Sequence, residues 1–241
     1  MKTFLCISSL FCLFLFSGCS DDLNEDNFSE TAEFEQKFID SNGYISDNRT
    51  DGYNKGYFWT IYKEGGWGRL RFPYANQYSG NFEIEYKDNQ DIVGGKGWRT
   101  GSGRTINYNI GLLQGSYNFV GVYGWTQTPL IEYYVVEKGS ITGQNQNRNY
   151  TANGKSYKFK KQLRSNAPSI LGTKTFYQYI SEHSNAPTGS NQKVNMQAHL
   201  NHWNQYGGHK PQWGNLRNFD YQVFGIESYT GGWGKINATV W

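Results

Sequence analysis

Two glutamates stand in strand-like segments rich in aromatic residues: Glu132 in YGWTQTPLIEYYVVE and Glu227 in YQVFGIESY. Period-two alternation puts Glu132 on one strand face with Leu130 and Tyr134, and leaves Ile131, Tyr133 and Val135 as an apolar opposite face. In the same way Glu227 shares a face with Tyr221, Val223, Gly225 and Tyr229, with Phe224 and Ile226 behind it. A carboxylate that projects from an aromatic face over a hydrophobic layer is costly to keep unless it is solvated or used. A widely separated pair of this kind is what acid/base chemistry on a sugar bond needs. The plainer reading is two exposed strand charges.

Short strands must position these groups. From about Tyr53 the chain turns to Gly, Tyr, Trp, Asn and Thr in alternating runs such as GNFEIEYKDN, RTINYNIG, SYNFVGVYGW and KSYKFKKQL, broken by Gly and Asn. That pattern predicts an all-β sandwich or barrel. The 19 Tyr and 8 Trp exceed what a core needs, so some should line a groove. One segment departs from the pattern. In NQKVNMQAHLNHWNQYGG, Met196, Leu200 and Trp203 fall at helical spacing and Gly207–Gly208 supply a stop, which predicts one helix of about three turns. His199 and His202 lie on similar helix faces, with His209 following. A zinc site would need a further well-placed ligand, so histidines packed between helix and sheet are expected, with no metal and no cofactor. The GGKG at Gly94–Gly97 lacks the flanking residues of a phosphate loop, and no basic-aromatic motif for nucleic acid occurs.

The N-terminus points to export. Lys2, the apolar run from Phe4 to Phe16, and then Ser17, Gly18 and Cys19 make a segment too short for a permanent span but suited to a cleaved signal, residues 1–18. Its small-small-Cys ending resembles a bacterial lipobox, in which Cys19 would be acylated, making the membrane a partner through a lipid anchor. Ser20, Asp21 and Asp22 resemble the surface-export signal of outer-membrane lipoproteins in Bacteroidetes-type bacteria, so a surface-exposed anchor in the outer membrane is expected. Residues 19–52 read as an acidic tether, with a short helix near Ser29 to Ile39. Between residues 20 and 42 there are eight acidic residues against Lys37 alone, whereas the rest of the mature chain has 21 Lys and Arg against 12 acids. Residues 53–241 form the remaining, basic domain, expected to be a monomer. Cys6, Cys12 and Cys19 all lie in or at the end of the leader, so the domain must be held by packing and hydrogen bonds without disulfides.

Four ordered strings, VGGKGWRTGSGRTINYN, YGWTQTPLIEYYVVE, RSNAPSILGTKTFYQY and YQVFGIESY, resemble those of the glycoside hydrolase family 11 endo-β-1,4-xylanases, and the resemblance runs from about Phe58 to Trp241. It implies a β-jelly-roll of two curved antiparallel sheets, a single helix against the back and a deep substrate cleft. It further implies retaining endo-hydrolysis of xylan, with Glu132 as nucleophile and Glu227 as general acid/base. Asp91 falls where the family places Asn or Asp beside the acid/base, and would set its pKa. Tyr123 and Tyr134 match tyrosines at the nucleophile, and Arg164 an arginine beside it. Gln178 and Tyr221 match substrate-binding residues, and Pro168, Ser169 and Ile170 the tip of a mobile thumb hairpin. Trp125 and Tyr229 are expected as cleft-wall or supporting aromatics. Tyr62 stands where an outer-subsite tryptophan is common, with Trp67 as its other possible substitute. Xylan and xylo-oligosaccharides are then the expected partners. The alternatives are a catalytically silent xylan-binding surface lipoprotein, and the same chemistry on another β-1,4-glucan.

Overall fold

The computed structural model describes residue 40 and residues 42–208 and 215–241. The signal segment, Cys19, the short helix expected near Ser29 to Ile39 and His209 lie outside these residues.

Among the described residues, fourteen strands form two sheets. In order across the larger sheet come β1 (Arg49–Asn54), β2 (Tyr57–Glu64), β5 (Asp91–Trp98), β13 (Arg217–Ser228), β7 (Phe119–Thr128), β8 (Leu130–Gly139), β11 (Lys174–Glu182), β10 (Lys155–Ala167) and β9 (Gln144–Ala152). The smaller sheet runs β12 (Gly189–Asn195), β6 (Thr105–Gly115), β14 (Trp233–Val240), β4 (Asn81–Lys87) and β3 (Trp67–Arg71). Pairing is antiparallel with one exception to the expected pattern: β11 lies parallel to β8, so that Gln178 stands in register with Glu132.

The alternation read from sequence has a physical basis. Ile131, Tyr133, Val135, Phe224 and Ile226 join Ile61, Ile84, Ile92 and Ile236 in the buried layer between the sheets. The opposite face of the larger sheet carries its own apolar floor, including Phe58, Val93, Tyr123, Trp125, Tyr134 and Val223. Central strands are thus buried on both faces, and aromatic residues mark the concave one. Curvature there comes from backbone contact. Gly95, Gly225 and Gly121 stand in one register row across β5, β13 and β7. A Cβ on Gly225 would sit 2.0 Å from the carbonyl oxygen of Gly94, and one on Gly95 2.2 Å from that of Phe224. Only glycine lets the strands fold this tightly.

The single helix among the described residues, α1 (Met196–Tyr206), begins at Asn195, whose side chain accepts from the Ala198 N–H. It buries Met196, His199, Leu200, His202 and Trp203, and the Trp203 indole donates to Ser181 Oγ at 2.9 Å. His199 Nδ1 lies 2.5 Å from the Tyr150 hydroxyl, and His202 stacks on the Tyr150 ring with centroids 3.8 Å apart. Burial, aided by His202 and Lys155, pushes His199 down to about 3, so it is a neutral packing group at ordinary pH. Among the described residues no group of His, Cys, Asp and Glu is placed to hold a metal.

Described residues before Tyr53 also belong to the sheets. Ile45 is fully buried and bridges Leu70, and β1 pairs along its whole length with β2. Residues 45–52, assigned to the tether from sequence, are therefore part of the sheet assembly.

Candidate active site

A cleft with a cavity volume of about 590 Å³ lies along the concave face of the larger sheet. Glu132 enters from the middle of β8, flanked in register by Trp125 on β7 and Gln178 on β11. Tyr123 donates its hydroxyl to Glu132 Oε1 at 2.9 Å, and Trp125 Nε1 donates to that same hydroxyl at 2.8 Å. Gln178 Nε2 donates to Glu132 Oε2 at 2.7 Å. Both carboxylate oxygens thus have an oriented donor, which holds one rotamer. Burial raises the Glu132 pKa, while Gln178, Tyr123, Tyr134 and the Arg164 guanidinium each pull it down.

Glu227 enters from β13, next to Val93 on β5. Its surroundings are poorer in donors: Oε2 is buried without a hydrogen-bond partner, and so is Oδ1 of Asp91. Burial first, then the charges of Asp91 and Glu132, push Glu227 well above the usual carboxyl range. Asp91 is itself pushed up to about 7, chiefly by burial and then by Glu132 and Glu64, with Arg164 opposing. The charge of Asp91 is one of the causes that raise Glu227, so ionising one carboxyl opposes ionising the other. The Tyr134 hydroxyl faces both Glu132 and Glu227.

Around this centre stand Tyr62, Tyr221 and Phe176, with Arg164, Pro168, Ser169 and Ile170 from the β10–β11 hairpin. Ser169 Oγ is tied to the Gly172 carbonyl and accepts from the Leu171 N–H, which stiffens the hairpin tip. The structure thus gathers Glu132, Glu227, Asp91, Tyr62, Tyr123, Trp125, Tyr134, Arg164, Pro168, Gln178 and Tyr221 in one cleft.

Tyr229 does not line it. Strand β13 ends at Ser228, and the Tyr229 backbone N–H turns to Asn118 Oδ1, leaving the side chain 37% exposed outside the cleft. The period-two rule fails there because the strand has stopped. Trp67 is also absent from the cleft, so Tyr62 holds the outer position, its hydroxyl bonded to Glu64.

Several lining groups were not anticipated. Thr60 and Glu64 flank Tyr62 at two-residue spacing, so alternation from Tyr62 would have found them. Arg99 and Asp220 form an ion pair at the rim, with Gln127 also donating to Asp220 at 2.9 Å. Arg49, Thr50 and Asp51 come from β1, where no local signal announces a strand.

The comparisons with known proteins follow the same outline. The family model "Glycosyl hydrolases family 11" matches residues 54–239. Over 188 residues the chain is 38% identical to endo-1,4-β-xylanase I of Cochliobolus carbonum, covering 74% of this chain and 78% of that protein. It is 36% identical over 192 residues to endo-1,4-β-xylanase 11B of Humicola insolens, covering 78% of this chain and 62% of the relative. A solved structure from a comparison of two major endo-1,4-β-xylanases of Trichoderma reesei superposes with a TM-score of 0.62 and 29% identity, covering 81% of this chain and 98% of the other.

Proposed function

The chain belongs to glycosyl hydrolase family 11, and on that footing we propose how its cleft cuts internal β-1,4-xylosidic bonds of xylan. It is an endo-1,4-β-xylanase. In the first step Glu227 gives its proton to the glycosidic oxygen while a Glu132 oxygen attacks the anomeric carbon, forming a glycosyl ester and releasing the leaving sugar. In the second, the Glu227 carboxylate takes a proton from water, which breaks the ester and restores both side chains with net retention.

The observation that carries this assignment is the contrast between the two carboxyls. Glu132 has a donor on each oxygen and Arg164 near it, so of the two it ionises more readily. Glu227 is buried beside a second carboxyl and holds its proton longer, as an acid catalyst must. Proton NMR of fresh xylo-oligosaccharide product tests the pathway. The β-anomer should appear first, and initial α-product would exclude two displacements.

We further propose that Cys19 carries lipid and the acidic segment after it spaces the catalytic domain away from an outer membrane, facing outward as a monomer. Support comes from the small-small-Cys ending and from the eight acidic residues between 20 and 42. Cys19→Ala should move the protein to the soluble fraction, and protease added to intact cells should remove the natural form. Retention of the variant in membranes, or protection of the natural protein, would contradict this placement.

A further inference from the structure

The two catalytic carboxyls are held by different means. Glu132 stands within β8 with a donor on each oxygen, whereas Glu227 is the last residue but one of β13 and its Oε2 is buried without a partner. Chain segments fray first at their ends. The aim of the acid/base therefore depends on what keeps β13 from loosening beyond Ser228.

Asn118 meets that need. It directly precedes β7, the strand that lies between β13 and β8 in the larger sheet. Its N–H donates to the Glu227 carbonyl at 2.9 Å and its own carbonyl accepts from the Ser140 N–H at 2.7 Å, so its backbone touches both glutamate-bearing sides of the sheet. The side chain has a separate task. Asn118 Oδ1 accepts from the Tyr229 N–H at 2.9 Å and from the Thr230 hydroxyl at 3.3 Å. An N–H that would otherwise need a ladder partner is satisfied locally, and the chain turns away.

The far end of this turn is fixed independently. Gly231 and Gly232 take φ of 71° and 84°, in the left-handed region that favours glycine. The Gly232 carbonyl accepts from the Asp88 N–H and the Trp233 carbonyl from the Ser116 N–H, each at 2.8 Å. Asp88 opens the connection that leads into Asp91 at the start of β5. Residues 229–232 thus join the strand end at Glu227 to the approach of Asp91, and Asn118 Oδ1 pins the near end of that link.

We propose that Asn118 is a positioning residue of the reaction: by ending β13 directly after Glu227 and Ser228, it sets where the acid/base carboxyl stands relative to Asp91 and to the bond being cut. Asn118 is not among the residues lining the cleft, so it acts through Glu227 and not on the sugar. The proposal rests on the xylanase reading.

Two substrates test it. Xylopentaose needs a proton on its leaving oxygen, whereas 2,4-dinitrophenyl β-xylobioside releases a stable phenolate and needs none. Asn118→Ala should lower kcat on xylopentaose about tenfold with KM held within about twofold, and the loss of kcat/KM on the aryl glycoside should shrink to about twofold. The alkaline limb of kcat/KM on xylopentaose should move to lower pH, because a loosened Glu227 gains water and holds its proton less firmly. The groups facing Glu227 are Asp91 of β5, Glu132 and Tyr134 of β8 and Arg164 of β10, and the substitution alters none of them. Asn118→Asp keeps an acceptor for both donors and should restore most of the rate and the position of the limb. If Asn118→Ala does not fold, Asn118→Ser, whose shorter side chain stretches the same bonds, should show the same contrast between substrates. Equal losses on the two substrates overturn the proposal. So does an unchanged kcat on xylopentaose, or an Asn118→Asp variant no better than Asn118→Ala. A failure of the xylanase reading would appear separately, as no xylopentaose cleavage by the natural enzyme.

Discussion

Strand β8 carries two buried glutamates, Glu132 toward the cleft and Glu137 toward the core, and their surroundings differ in kind. Glu137 is fully buried and accepts from Lys155, Tyr108 and Tyr157, the last at 2.6 Å. Its charge is met by an opposite charge. Glu132, by contrast, is met by the neutral donors Gln178, Tyr123 and Tyr134, with the Arg164 charge acting on it without an ion pair, and it shares its cleft with Glu227 and Asp91. Buried polar groups in the cleft remain unsatisfied, including Glu227 Oε2 and Asp91 Oδ1. A structural carboxylate is neutralised where it stands, whereas a working one is left oriented and short of partners, available to a substrate.

This contrast is most easily broken by treating the two glutamates alike. Glu132→Gln keeps shape and removes charge, so turnover should fall by at least ~10³-fold while the melting temperature holds or rises. Glu137→Gln should do the reverse, lowering stability by about 3–5 kcal/mol because Lys155 is left buried without its partner, with activity per folded molecule little changed. Calorimetry and steady-state kinetics on both variants decide it. If Glu137→Gln lost turnover at unchanged stability, the distinction would collapse.

A smaller effect sharpens the account of Glu132. Gln178→Ala removes the donor to Oε2, at a cost of about 1.5–3 kcal/mol in the stabilisation of the ionised form. The Glu132 pKa then rises, and the acid limb of kcat/KM should move to higher pH together with a drop in rate. A drop with no movement of the limb would mean that Gln178 acts on substrate alone.

The smallest effect concerns Asp91. Its folded-state pKa is raised to about 7, so its protonated form favours folding fully below the ordinary carboxyl value near 4, and that contribution is lost as pH rises through about 7. Asp91→Asn should therefore gain stability relative to the natural protein across that window, by about 1–3 kcal/mol at its upper end. The same change uncouples Glu227 and should move the activity optimum to higher pH. Chemical denaturation at pH 4 and pH 7.5, with pH–rate profiles of both proteins, checks each part. Overlapping profiles would mean that Asp91 and Glu227 do not share a proton.

How far the sequence reveals this arrangement depends on whether a signal is local. Alternation along YGWTQTPLIEYYVVE and YQVFGIESY assigns the faces of Glu132 and Glu227 correctly, because both strands are long and their two faces differ in chemistry. The helix at Met196–Tyr206 is equally legible from Met196, Leu200 and Trp203. Residues 49–51 are not, since RTDGYN forms an exposed edge strand held by register with β2 and carries no apolar face of its own. Tyr229 is misplaced because alternation cannot tell where a strand ends. The pairing of Glu137 with Lys155 is invisible for a third reason: the partners come from different strands, and VVEKG alone reads as a strand terminus.

The central claim is that Glu132 forms a bond to the sugar while Glu227 only moves protons. The most direct test is to trap that bond with a 2-deoxy-2-fluoro-β-xylobioside bearing a good leaving group, which slows the second displacement more than the first. Intact-mass measurement should then show one added fluoro-xylobiosyl unit. Peptide mapping should place it on the fragment containing Leu130–Gly139 through an ester at Glu132, and Glu132→Gln should remain unlabelled. Label on the fragment carrying Glu227, or turnover of the reagent with no adduct at any time, would contradict the assignment.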